Sequence, residues 1–144
     1  MSAPVLVESA RVLPDRIQLT VRVSHEKYAQ TNASLLQAVL VCHPYLLEHA
    51  CRNAAGPTFG AVAAATSTPH LLEHLIIDYQ LKLHETQDAH AVQDVLLVGT
   101  TQWDVHDPLL ATVSLSYQDD VIAFAAINQA LEELNDLLQN GHYF

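Results

Sequence analysis

The sequence has little cysteine and little positive charge. Two cysteines, Cys42 and Cys51, cannot build a disulfide framework. They read as free thiols in a reducing, cytoplasmic setting, where they stay available for metal. Six lysines and arginines stand against sixteen aspartates and glutamates, a formal net charge of -10. The six cations are scattered along the chain and form no basic patch, so no nucleic-acid partner is expected. No apolar run reaches the roughly eighteen residues of a membrane span, so no membrane partner is expected either. No charged segment followed by an apolar one opens the chain, which argues against a signal peptide. Only 15% of residues are charged and 50% are hydrophobic, which excludes a disordered chain.

What is present fits one domain over residues 1–144, long enough to bury a sizeable core. Residues 4–13, "PVLVESARVL", and 16–23, "RIQLTVRV", are rich in β-formers. In the second, Ile17, Leu19, Val21 and Val23 alternate with Gln18, Thr20 and Arg22, and Pro14-Asp15 supplies a turn between the two. Helical spacing begins after Asn32, a good N-cap, and His43-Pro44 interrupts it. Pro44 is suited to start a second short helix, "PYLLEHAC", and residues 53–60 read as a loop. A third helix runs from Thr68 as N-cap and Pro69 as first helical residue to about Leu83, and polar, loop-like residues follow it. Strands at 95–103 and 110–118 come next, joined through Asp107-Pro108. A long amphipathic helix, led by acids and stopped by Gly141, closes the order β-β-α-α-α-β-β-α. That order predicts an α+β two-layer sandwich: an antiparallel or mixed sheet of about four strands with helices packed on one face.

Nine histidines are many for this length, and two of them interrupt the greasy segment "PHLLEHLIIDYQ". His70, Glu73 and His74 lie at i, i+3 and i+4, which places them on one face of a helix. The rest of that helix is apolar nearly all round and therefore buried, so the trio needs partners. His-x-x-Glu-His is also a zinc-peptidase arrangement, with His70 and His74 as metal ligands and Glu73 as the base. A catalytic zinc usually takes a third protein ligand. The segment "LLEHACR" offers Glu48, His49 and Cys51, of which Cys51 is preferred and His49 is next. His25, His84, His90 and His142 sit in polar or terminal stretches and read as solvated; His43 reads as structural and Cys42 as a core residue.

The stretch "LLEHACRNAAGPTFGAVAAATSTPHLLEHLIIDYQ" resembles the N-terminal domain of cyanophycin synthetases. The matching residues are His49, Cys51, Gly56, Phe59, Thr66, His70, Glu73, His74 and Gln80. Downstream, "ATVSLSYQDDVIAFAAINQALEELNDLL" is similar to that domain's strand, acidic turn and final helix, so the likeness covers roughly residues 46–138. The resemblance implies a domain that handles an Asp-Arg polymer, in some members as a metal-dependent peptidase. It assigns zinc to His70, His74 and Cys51, the catalytic base to Glu73, and ligand contacts to His49 and Gln80. The chain has no phosphate-binding G-x-x-x-x-G-K-[ST] loop, so it is not expected to act as a synthetase alone. Its glycine turn, "AAGPTFG", is also poorer in glycine and arginine than the family's typical version. Three readings stay open: a zinc-dependent peptide or isopeptide hydrolase, a non-catalytic module that binds a peptide or small ligand, and a subunit whose trio is purely structural. Sheet edges and the final helix would permit a homodimer without requiring one.

Overall fold

The alternation of residues 17–23 becomes a central strand. In the computed structural model, which describes residues 3–87 and 97–141, β2 (Ile17–Val23) buries Ile17, Leu19, Val21 and Val23 and leaves Gln18, Thr20 and Arg22 half-exposed on the other face. It pairs antiparallel with β1 (Val5–Val12) on one side and with β4 (Leu110–Leu115) on the other. β3 (Gly99–Trp103) completes an antiparallel sheet in the order β1-β2-β4-β3. The expected strand at 95–103 is thus found from Gly99 onward, and its residues 95 and 96 lie outside the described residues.

The helices are α1 (Ala33–Cys42), α2 (Thr68–Gln87) and α3 (Asp120–Asn140), and they pack as a second layer on one face of the sheet. The α+β two-layer expectation therefore holds, and the sheet is antiparallel. Asn32 caps α1 by accepting from Leu35 N at 2.9 Å, and Asp119 caps α3 by accepting from Val121 N and Ile122 N. The cap of α2 is one residue earlier than the sequence suggests. Ser67 Oγ accepts from His70 N, because the Thr68 hydroxyl is taken up by the carbonyl of Tyr28. No helix among the described residues is long and apolar enough to cross a membrane.

The second expected helix, at 44–51, does not form beyond a single 3-10 turn at Leu46–Glu48. Backbone pairing wins there: Phe59 N donates to His49 O at 2.8 Å and Cys51 N to Pro57 O at 3.1 Å, which draws residues 49–51 into an extended path.

α2 is the core of the second layer. Every residue from Leu71 to Asp78 is buried, with Leu71, Leu72, Leu75 and Ile76 fully so. Each such side chain stabilises the fold by about 1.5–3 kcal/mol relative to exposure. The Asn135 side chain of α3 binds both backbone groups of Val5, at 2.8 and 2.9 Å, and pins β1 to the helical layer.

One charged network crosses that layer. His43, at the end of α1, has no exposed surface. Its Nδ1 donates to Asp78 Oδ2 at 2.6 Å, and its Nε2 donates to Glu133 at 2.9 Å. Burial pulls the His43 pKa down, but the bonds to Asp78 and Glu133 outweigh it and the net shift is upward. Asp78 and Glu133 are raised by burial, yet His43 and their other partners hold both below the usual carboxylate range. The signs define a window. The His43 contribution is complete below its unfolded pKa of about 6.5 and fades as pH climbs through the higher folded value. The carboxylate contributions are complete above about pH 4 and fade as pH falls below it. His43→Gln should therefore cost about 3–5 kcal/mol near pH 5.5, as removal of one partner of a buried ion pair does. Urea unfolding of both proteins at pH 3, 5.5 and 8.5 should show the gap narrowing at both extremes; a gap independent of pH would contradict the network.

Candidate metal centre

The residues singled out in the sequence meet at the N-terminal half of α2. The segment 49–59 brings two of them there. Asn53 Oδ1 accepts from Ala55 N at 2.9 Å and Gly56 N at 2.8 Å, and Asn53 Nδ2 donates to Thr58 O at 3.1 Å, closing a tight loop. In the extended path before it, alternate residues point the same way, so His49 and Cys51 both face α2. A helix at 44–51 would have turned them to different sides.

Cys51, His70 and His74 each present one donor atom within 4.8 Å of the other two, so together they can hold a metal ion. Cys51 Sγ lies 3.4 Å from His70 Nε2, and the other ring nitrogen of His70 is hydrogen-bonded to Thr66 Oγ1 at 2.9 Å. Phe59, fully buried, stacks on the His74 ring with centroids 4.1 Å apart and meets His70 edge-on at 5.0 Å. The two imidazoles are thus held in place by an aromatic wall and by their own hydrogen bonds.

The protonation pattern follows from the partners. His49 Nε2 faces Asp78 Oδ1 at 3.4 Å, and a carboxylate calls for an N–H there. His49 Nδ1 then carries a lone pair, which accepts the Nδ1–H of His74 at 3.2 Å. That leaves a lone pair on His74 Nε2, which is buried and has no hydrogen-bond partner among the described residues. Burial, and then the neighbouring His70 and His49, push the His74 pKa down to about 3, and burial lowers that of His70. Both rings are neutral near pH 7, the form in which imidazole binds a cation. A half-buried thiol and two neutral imidazoles fit a metal of the softer kind, since Cys and His favour such ions. Hydrogen bonds from Thr66 and from the Asp78–His49 pair stand behind the ligands, as outer partners do in metal sites.

Glu73 lies beside this group. Its Oε1 accepts from Thr101 Oγ1 on β3 at 2.7 Å, and its Oε2 is 3.5 Å from His74 Nε2. Burial raises its pKa to about 7 against the opposing pull of the Thr101 bond, so it gains and loses a proton near neutrality. Glu73, His70 and Cys51 line a cleft of about 1000 Å³ bounded by β3, Arg16 and Arg52. His74 and His49 lie behind that wall. Gln80 is fully buried and is not itself a lining residue; its amide donates at 3.3 Å to the carbonyl of Ser116, which lines the cleft.

Thr101, Gly99 and Asp78 are the site residues that sequence reasoning missed. Asp78 follows His70 and His74 in steps of four, and that periodicity was the available signal. Nothing local marks Thr101 or Gly99, which arrive from a strand over twenty residues away.

The chain matches none of the protein-family models, and no curated protein matches it. The likeness to the cyanophycin synthetase domain therefore rests on its motif residues alone.

Gly99 makes the approach of Glu73 to the sheet possible. A Cβ there would lie 2.9 Å from Glu73 Cγ and 2.9 Å from the backbone oxygen of Ser114. Gly99→Ala should destabilise the protein by about 1–3 kcal/mol, the usual cost of overpacking. An unfolding midpoint equal to that of the unaltered protein would show that the contact is looser than described.

Proposed function

We propose that the protein is a zinc-dependent hydrolase of peptide or isopeptide bonds, of the kind the resemblance to cyanophycin synthetase N-terminal domains implies. The observation that carries this reading is the convergence of Cys51, His70 and His74 beside Glu73 at the wall of a cleft. Cys51, His70 and His74 would hold the ion. Zinc, when bound, supplies Lewis acidity to a carbonyl or a water. Glu73 is the proton carrier. With a pKa of about 7 it takes a proton as the base and returns it to the leaving amine as the acid. Thr101 fixes Oε1, which keeps Oε2 turned toward the metal-binding residues. The His74 ring is oriented from behind by His49, and His70 by Thr66.

One observation favours a second reading, a module that binds a polar ligand without turnover. Arg52 lines the cleft and has no partner among the described residues, as expected of a residue that waits for a ligand.

Metal analysis of protein purified without an affinity tag should find close to one zinc per chain. Glu73→Gln should keep the metal and lose turnover of a quenched-fluorescent peptide pool by about 10²–10⁴-fold, the usual worth of a general base. His74→Ala should lose the metal. A metal-free protein whose melting temperature ignores both chelator and added zinc would overturn the proposal. Ligand-induced stabilisation without turnover, abolished by His74→Ala, would favour the binding module.

A further inference from the structure

Among the described residues β3 is an edge strand of the sheet, and the direction of the backbone groups that do not face β4 can be read from its two ends. Ser116 N donates to Val98 O at 2.8 Å, and Asp104 N donates to Leu110 O at 2.7 Å. The register between β3 and β4 is unbroken from Gly99↔Leu115 to Trp103↔Ala111. In an antiparallel ladder the residues that bond to one neighbour alternate with those that face away. Residues 98, 100, 102 and 104 therefore face β4, and the N–H and C=O groups of Gly99, Thr101 and Trp103 face the open side.

That open edge is part of the cleft. All five residues of β3 line it, together with Cys51, His70 and Glu73. Edge strands are commonly protected by proline, by charged side chains or by a covering element. "GTTQW" has neither proline nor charge. Thr101 joins the two features directly, since its backbone faces the open edge while its hydroxyl holds Glu73.

Two arginines line the cleft, Arg16 and Arg52, together with the acids Asp15 and Glu73. Arg16 is paired with its neighbour Asp15 at 3.2 Å, whereas Arg52, next to Cys51, has no partner among the described residues. A guanidinium in that position suits a carboxylate, which it can bind through two parallel hydrogen bonds.

We propose that the cleft takes an extended peptide with an acidic side chain, added as a fifth strand to the open edge of β3 and anchored by its carboxylate on Arg52. Main-chain hydrogen bonds to Gly99, Thr101 and Trp103 supply affinity, and Arg52 supplies selectivity, as in other strand-addition sites. The inference rests on the peptide hydrolase reading for its ligand class. It rests on the sheet edge for its geometry.

The test uses the full chain, labelled with 15N, and three pools of capped octapeptides of random sequence. One pool has Asp at a fixed position, one has Asn there, and one repeats the Asp pool with every backbone nitrogen methylated, so that neither edge of the peptide can donate. The Asp pool should shift the amide signals of Gly99, Thr101 and Trp103 and slow their hydrogen exchange. The methylated pool should leave them unmoved. The Asn pool should bind about tenfold more weakly, the worth of one charge-assisted bond. Arg52→Gln should erase the difference between Asp and Asn pools while the β3 signals still respond. Unmoved β3 amides at millimolar peptide, or equal binding of the methylated pool, would overturn strand addition. Equal binding of Asp and Asn pools to the unaltered chain would overturn the anchoring role of Arg52. Zinc content measured on the same sample separates the two claims. Metal present with β3 unmoved sinks the edge site alone, and β3 engaged in metal-free protein sinks the zinc reading alone.

Discussion

The Asp78 carboxylate is the group on which the helical layer and the candidate site both depend. It is buried, and an unpaired buried charge is too costly to keep. Its Oδ2 is met by His43 at 2.6 Å and Lys82 at 3.0 Å, and its Oδ1 faces His49 at 3.4 Å. His43 in turn ties α3 through Glu133, and Tyr79 donates to the same carboxylate at 2.8 Å. One negative charge thus fixes the end of α1, the middle of α2, a turn of α3 and the loop that carries Cys51. It also decides where protons sit. Through His49 it leaves the inner nitrogen of His74 as a lone pair with no hydrogen-bond partner among the described residues, 3.5 Å from Glu73 Oε2.

The two carboxylates on α2 show how environment divides one chemical group into two roles. Asp78 is surrounded by donors and stays ionised. Glu73, a little over one turn earlier, has Thr101 as its donor and sits near the midpoint of its titration at neutral pH. The first organises the site, and the second is free to move protons at the cleft. The geometry is economical: α2 carries both carboxylates and both imidazoles, while one loop supplies the thiol and one strand supplies the hydroxyl.

Much of this was legible in the sequence. The alternation of β2, the caps of α1 and α3 and the one-face spacing of His70, Glu73 and His74 follow from local periodicity, and local periodicity survives folding. Cys51 could be paired with the trio because a glycine-bearing loop lies between them. The helix expected at 44–51 failed because long-range backbone pairing with residues 57–59 overrode a local preference. The sheet side of the site was hidden for the same reason. Thr101 and Gly99 matter through contacts with Glu73 that no spacing along the chain can reveal. Gln80 was selected by resemblance; it is buried and touches the cleft only through Ser116, whose carbonyl accepts from its amide.

The central claim is that Cys51, His70 and His74 form a single metal centre. Cobalt(II) titration of the metal-free protein, followed by visible absorption, tests it most directly. The account predicts one equivalent bound with a sulfur-to-metal charge-transfer band, the band lost in Cys51→Ser and the uptake lost in His74→Ala. No uptake, or a spectrum unchanged by Cys51→Ser, would contradict it.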